Sequence, residues 1–178
     1  MKHAIPNLLL LAALTFSCAP LSQEVMRQVD QNLTYTVVQK NPEAYRGKNV
    51  LWGGVIIETI TRPGETLIKV RETELDYEKR PTNMDHSAGR FLVQSPGFLD
   101  PAIYAEGREI TVAGELAGTK VLPLGETRYR YPLVLAKEIH LWEKRQEIRS
   151  YDPYYWPYWG YPYRWYRHPF WGYPPYWW

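Results

Sequence analysis

Five strand-like runs separated by turn signals constrain this fold more than any other feature of the sequence. They occupy residues 49–60, 66–75, 89–94, 108–116 and 131–142. In the fourth run, Ile110 and Val112 alternate with polar residues, as in a half-buried strand. The segment 62–65 (RPGE) and Gly125 interrupt the runs as turn residues do. The pattern therefore predicts an all-β domain.

A short helix is predicted between the third and fourth runs, at about 99–106. Asp100 is a good N-cap, and Pro101 fits the first turn of a helix, where no amide hydrogen is needed. Gly107 is a natural C-terminal stop. The side chains expected to face the core from this helix are Phe98, Ile103 and Tyr104.

The resulting order of three strands, one helix and two strands is that of an OB-fold, a small five-stranded β-barrel. The first strand of such a barrel must bend to pair with a neighbour on each side. Gly53 and Gly54 lie inside the first run, and glycines there favour a bend or a close backbone approach. A small β-sandwich of the same strands is the alternative, because strand order does not fix closure.

The sequence before the barrel predicts one short amphipathic helix, with Val25, Val29 and Leu33 spaced four residues apart. Four regions follow from these patterns. They are a signal peptide (1–17), a linker with the short helix (18–46), an OB-like barrel (47–145) and an irregular tail (146–178).

The N-terminus predicts export and lipid attachment. The apolar run 8–16 is too short to span a bilayer and follows a basic start, as in a signal peptide. The only cysteine, Cys18, lies directly after this run and resembles the cysteine of a bacterial lipobox. We therefore predict cleavage before Cys18 and acylation of its thiol. The alternative is an ordinary secretory signal followed by an unmodified cysteine.

The C-terminal segment 151–178 is dominated by Tyr, Trp and Pro. Its six prolines exclude a regular helix or ladder strand. Tyr and Trp gather where water meets lipid, and their flat rings also stack on sugars. The tail is therefore predicted to contact lipid headgroups or cell wall, the alternative being an inert extension. The candidate contact residues are Trp156, Trp159, Arg164, Trp165, Arg167, Trp171, Trp177 and Trp178.

No sequence pattern predicts catalysis, a metal or a cofactor. The chain has no Gly-x-Ser-x-Gly motif, and its one cysteine lies at the predicted anchor. His86 beside Asp85 is a single pair, whereas a metal site needs three or four converging ligands. The net charge of +2 gives no reason to expect a nucleic-acid partner. We therefore predict a protein that is not an enzyme.

A basic face is the candidate binding surface. OB-folds commonly bind ligands on strands two and three and in adjoining loops. The residues predicted to line that face are Lys69, Arg71, Arg80 and Arg90. The alternative is that these charges form only the wet side of a half-buried sheet.

The blocks YRGKNVLWGG, FLDP, YAEGREITVAGELAG and YPLV together resemble the Slp family of bacterial outer-membrane lipoproteins. The similarity runs from the signal peptide to about Trp142. The resemblance implies an acylated Cys18, an outer-membrane anchor, an envelope role linked to starvation or acid stress, and no known enzymatic activity. We expect the domain to lie on the periplasmic face of the outer membrane. The alternative function is a periplasmic module that binds an oligosaccharide, a peptide or a small molecule.

Overall fold

The computed structural model describes residues 20–145. The predicted signal peptide, Cys18 and the aromatic tail lie outside these residues. Two short helices, α1 (Gln23–Gln28) and α2 (Tyr35–Lys40), precede a 3-10 turn (Pro42–Tyr45). The strands are β1 (Asn49–Arg62), β2 (Glu65–Thr73), β3 (Arg90–Pro96), β4 (Glu109–Leu124) and β5 (Thr127–Leu141).

The five strands form a closed barrel in the order β1-β2-β3-β5-β4. Strand β1 pairs antiparallel with both β2 and β4, and β3 pairs with β5 in parallel. This connectivity confirms the predicted small OB-type barrel. The sandwich alternative is wrong, because the sheet closes on itself.

Strand β1 bends where two glycines allow the backbones to approach. It pairs with β4 over residues 49–55 and with β2 over 53–62, so the two pairings overlap at Gly53, Gly54 and Val55. A Cβ atom on Gly54 would lie 2.0 Å from the carbonyl oxygen of Arg71. Only glycine fits between the backbones of β1 and β2 at this position. The predicted close approach of the backbone is confirmed.

The prediction of a helix at 99–106 is wrong, because the chain between β3 and β4 forms turns instead. The carbonyl of Asp100 accepts bonds from the amides of Ile103 and Tyr104, which makes a single helical turn. Phe98 is 69% exposed and Ile103 is 53% exposed, contrary to expectation. Tyr104 alone of the three packs on the core. A longer helix would have no apolar stripe to bury.

This loop nevertheless closes one end of the barrel. Leu99 and Tyr104 pack against the buried core. The hydroxyl of Thr59 donates to the carbonyl of Tyr104 at 2.7 Å, and the amide of Leu99 donates to the hydroxyl of Thr66 at 2.9 Å. The end is therefore sealed by an irregular segment.

The other end is closed by the segment before β1. Its residues Leu33, Tyr35 and Val38 are buried in the same core as Trp52, and the Trp52 indole donates to the carbonyl of Leu33 at 3.0 Å. The single predicted helix ends earlier than expected, and α2 follows as a second one. The segment predicted as a linker therefore contributes to the barrel core.

Apolar side chains fill the barrel between its two closed ends. Tyr35, Trp52 and Phe91 pack edge to face or tilted, with ring centroids 5.2–6.4 Å apart. The other buried members of this core are Leu33, Val38, Val50, Ile56, Ile68, Val70, Val93, Ile110, Val112, Leu116 and Val134. The interior is thus a packed core.

Strands β4 and β5 continue well past the barrel as a two-stranded arm. Residues 118–124 pair with 127–133, and β5 reaches β3 only over 133–135. Strand β4 extends beyond its predicted run. Register shifts near Gly114 and Gly118 interrupt the alternation of apolar and polar residues from which the end of that run was predicted. On one face of the arm, Leu122 and Tyr129 pack against a second buried cluster of Leu67, Leu92 and Tyr131.

Candidate functional site

The structure brings three of the four predicted basic residues together on β2 and β3. Arg71 and Arg90 are direct cross-strand partners, and Lys69 lies two residues from Arg71 on the same face. Lys69 forms an ion pair with Glu58, and the Arg71 guanidinium donates to the carbonyl of Met84 at 2.6 Å. Among the described residues, the Arg90 side chain alone of these three makes no hydrogen bond or ion pair.

Arg80 lies in the loop between β2 and β3 and points toward β4. Its Nε donates to Glu109 Oε2 at 2.7 Å, and its guanidinium lies 5.3 Å from the ring centroid of Trp142. Arg145 binds the other oxygen of Glu109 at 2.9 Å. Arg80 therefore does not belong to the face formed by Lys69, Arg71 and Arg90. It is part of a structural ion-pair cluster with Glu109 and Arg145, which we call the clamp.

The clamp fastens both the loop and the end of β5 to the barrel. Thr111 is fully buried; its hydroxyl donates to the carbonyl of Lys79 at 2.6 Å and accepts from the indole of Trp142 at 2.9 Å. Arg145 also donates to the carbonyl of Pro81 at 2.8 Å. The chain is therefore held in place up to Arg145, the last described residue.

Two tyrosine hydroxyls meet where α2 closes the barrel. The hydroxyls of Tyr35 and Tyr129 lie 3.3 Å apart, and Tyr35 donates to the carbonyl of Arg90 at 3.0 Å. A Cβ atom on Gly89 would lie 2.4 Å from the Tyr35 hydroxyl. Burial, followed by the contact with Tyr129, strongly raises the pKa of Tyr35. This phenol is therefore neutral at ordinary pH and acts as a structural hydrogen-bond donor.

Glu72 is a half-buried carboxylate near the end of β2. Burial raises its pKa above the usual value, with Glu74 adding to the shift, and a hydrogen bond from the amide of Ala88 opposes it. The charged form is therefore less favourable in the folded state than in the unfolded state. Its proton is held more tightly in the folded barrel, so lowering the pH favours folding at this position.

We expect Glu72→Gln to raise the melting temperature at neutral pH, because glutamine removes the desolvated charge and keeps an oxygen for the Ala88 amide. The contribution of protonated Glu72 to stability is fully present below the unfolded-state pKa and is lost as the pH rises through the folded-state pKa. The difference between variant and wild type should therefore shrink in acid.

Thermal melts of wild type and Glu72→Gln, from neutral to acidic pH, measure the difference in melting temperature. Glu126→Gln, which removes an exposed carboxylate from the turn between β4 and β5, is the control and should change stability little. A Glu72→Gln protein with unchanged stability at every pH would contradict the burial effect.

The described surface also contains a groove of about 530 Å³ beside the β4–β5 arm. Its lining residues are Gln39, Pro42, Val121, Arg128, Tyr129, Arg130 and Pro132. None of these residues was predicted from the sequence. The available signal was the alternation Arg128-Tyr129-Arg130-Tyr131, which places two arginines on one face of a strand.

The described chain begins at a fixed point on the barrel. The amide of Ser22 donates to both carboxylate oxygens of Glu138 at 3.0–3.1 Å, and its hydroxyl donates to the same group at 2.8 Å. Leu21 is only 2% exposed. The start of α1 is therefore tied to β5.

Residues 20–145 contain no group of three or more His, Cys, Asp or Glu side chains placed to hold a metal ion. Within the same range, no helix has the length and apolar character needed to cross a membrane. Cys18 and the eight candidate residues of the tail lie outside the described part of the chain.

The fold and its surface features define a small OB-type barrel protein with a filled interior and basic features on its outside. Comparison with known sequences is more specific. The family model described as outer membrane lipoprotein Slp family matches residues 16–177, and the chain belongs to that family.

Curated relatives agree with this assignment. The outer membrane protein Slp of Escherichia coli K12 is 26% identical over 88% of both chains. The uncharacterized lipoprotein YeaY of the same organism is 28% identical over 71% of this chain and 67% of its own length. An uncharacterized protein of Haemophilus influenzae is 35% identical over 53% of this chain and 52% of its own.

Family membership confirms the resemblance seen in the sequence motifs and places the protein in the bacterial outer membrane as a lipid-anchored lipoprotein. The match extends to residue 177, whereas the sequence motifs indicated similarity only to about Trp142. The aromatic tail is therefore part of the region that the family model describes.

Proposed function

We propose that this protein is a non-enzymatic interaction lipoprotein of the outer membrane, anchored through acylated Cys18 on the periplasmic face. The observation that supports this role best is the filled barrel. Core side chains occupy its interior, and the segments 33–45 and 97–108 close its ends. The protein then acts through its outer surface and its anchor.

A short tether follows from the proposed anchor. Ser22 is fixed to β5 by Glu138, and only three residues separate Ser22 from Cys18. Even a fully extended chain spans no more than about 14 Å between these two residues. The barrel is therefore held close to the lipid surface.

The proposal includes a role under acid or starvation stress. Its support is membership of the Slp family, because the resemblance to that family implies such a role. Ligand binding on the face of β2 and β3 receives less support. Lys69 and Arg71 already bind Glu58 and the Met84 carbonyl, so a ligand would have to displace these partners.

Membrane fractionation tests the proposed anchor in cells. We expect the wild-type protein to be recovered with outer membranes, and Cys18→Ala to be found largely in the soluble periplasmic fraction. A variant that lacks 146–178 but retains Cys18 should remain with the membrane. Equal membrane recovery of this shortened variant and of the same deletion carrying Cys18→Ala would overturn the proposed attachment.

The proposal assigns surface contact to the aromatic tail. Burial of one aromatic ring contributes roughly 1.5–3 kcal/mol, so insertion of even one ring changes affinity by about tenfold or more. We therefore expect deletion of 146–178 from a non-acylated Cys18→Ser protein to weaken binding to lipid vesicles or purified cell wall by at least about tenfold. Sedimentation measures the binding, and a thermal melt checks that the barrel remains folded. Undiminished binding to both surfaces would make the tail an inert extension.

A further inference from the structure

The groove beside the β4–β5 arm has two distinct walls. Cross-strand pairing places Val121 opposite Arg130, and alternation along β5 puts Arg128, Arg130 and Pro132 on the same face of the arm. Gln39 and Pro42, from α2 and the following turn, form the other wall. The opposite face of the arm packs on the Leu67 and Leu92 cluster, whereas Val121, Arg128 and Arg130 are exposed on the groove face.

The groove combines uncommitted cations with exposed apolar surface. Arg128 and Arg130 are exposed and make no ion pair or hydrogen bond with the part of the chain that the structure describes. Val121 is 52% exposed between them and the second wall. Guanidinium groups bind phosphate oxygens in a bidentate manner, and the apolar side chains offer contact to carbon atoms.

The charge of the surrounding segments reinforces this chemistry. Residues 34–48 and 117–132 together contain six Lys or Arg and only two Glu. Their net charge of +4 exceeds the +2 of the whole chain, so the rest of the sequence is net negative. One of the two acids, Glu43, accepts a hydrogen bond from the Thr119 hydroxyl at 3.1 Å. These two segments are thus net positive, and two of their basic residues, Arg128 and Arg130, line the groove.

We propose that this groove binds the phosphate headgroup of an anionic phospholipid. Arg128 and Arg130 hold the phosphate, Gln39 donates to its oxygens or to the glycerol, and the exposed Val121 contacts the adjoining carbon chain. A lipid is favoured over a soluble anion because the family is one of outer-membrane lipoproteins and because the exposed apolar side chain of Val121 lies beside the two guanidinium groups.

Vesicle binding by the full chain tests this assignment, with Cys18→Ser in every variant so that acylation plays no part. The vesicles are pure phosphatidylcholine or phosphatidylcholine with phosphatidylglycerol. We expect the double variant Arg128→Gln/Arg130→Gln to lose on the order of tenfold in affinity for the anionic vesicles, since each basic residue near such a surface contributes measurably. Its affinity for pure phosphatidylcholine should not change.

Matched controls separate the groove from general charge. The pair Arg27→Gln/Arg62→Gln removes the same charge from two exposed positions in α1 and at the end of β1. It should reduce binding to anionic vesicles much less. Val121→Asp, an exposed substitution that adds one negative charge to the groove, should reduce binding as strongly as the groove pair. Thermal melts confirm that each variant is folded.

Two results would overturn the proposal. Equal losses for the groove pair and the control pair would show that only overall charge matters. Glycerol 3-phosphate that binds the wild-type protein in the absence of vesicles but not the groove pair, while the groove pair keeps its full affinity for anionic vesicles, would show that the groove takes a soluble anion. A selective loss of affinity for anionic vesicles in the groove pair supports the lipid headgroup.

Discussion

Replacing Tyr35 by alanine will lower the free energy of unfolding by about 3–5 kcal/mol, as for other buried aromatic residues. Tyr35 is 2% exposed, packs edge to face on Trp52 at 5.2 Å, and donates its hydroxyl to Arg90. The substitution removes the ring that closes the barrel end and leaves a cavity between Trp52 and Phe91. Chemical denaturation measures the loss.

Two further variants identify its source. Tyr35→Phe keeps the ring and loses only the hydroxyl, so we expect a cost of about 1–2 kcal/mol. Tyr77→Ala removes the same side chain from an 87% exposed position and should cost little. Equal costs for Tyr35→Ala and Tyr77→Ala would mean that the segment before β1 is a linker and not part of the core.

Replacing Gly54 by valine will have the second largest effect on stability. A Cβ atom at this position would lie 2.0 Å from the Arg71 carbonyl oxygen and 2.9 Å from a Val70 methyl group. The first contact is with backbone, so β1 and β2 must separate to accommodate the side chain. Overpacking of this kind costs about 3 kcal/mol, which corresponds to a fall in melting temperature of roughly 10 °C.

Thr61→Val is the matched control, because it places valine at an exposed position of the same strand. Its melting temperature should stay within a few degrees of wild type, as for most surface substitutions. If Gly54→Val and Thr61→Val have the same melting temperature, the backbones of β1 and β2 do not approach closely at Gly54, and the barrel is not closed there.

The strand framework was predictable because alternation and turn residues act locally. Ile110 and Val112 define an inward face from sequence alone, and Gly53 with Gly54 marks the bend. The helix at 99–106 was predicted from equally local signals, the Asp100 cap and Pro101. Those signals specify how a helix starts, but its continuation requires an apolar face to bury, which Phe98 and Ile103 do not provide.

The parts that could not be predicted depend on contacts between distant segments. In the sequence, Tyr35 is one aromatic residue in a largely polar segment. Its burial could not be predicted, because it results from packing against the distant residues Trp52 and Phe91. Arg80 has the charge expected of a binding face, but its partner Glu109 lies on a strand 29 positions further along. The groove likewise forms only when the β4–β5 arm meets α2 and the turn that follows it.

Mass spectrometry of the N-terminal peptide, from protein purified from outer membranes, is the decisive test of lipid attachment at Cys18. We expect the mature chain to begin at Cys18 and this residue to carry acyl groups. The unmodified residues 19–22 should follow, leading to the Ser22 contact with Glu138 on the barrel. A mature chain that begins elsewhere, or one that begins at Cys18 with a free thiol and amine, would contradict the proposed anchor.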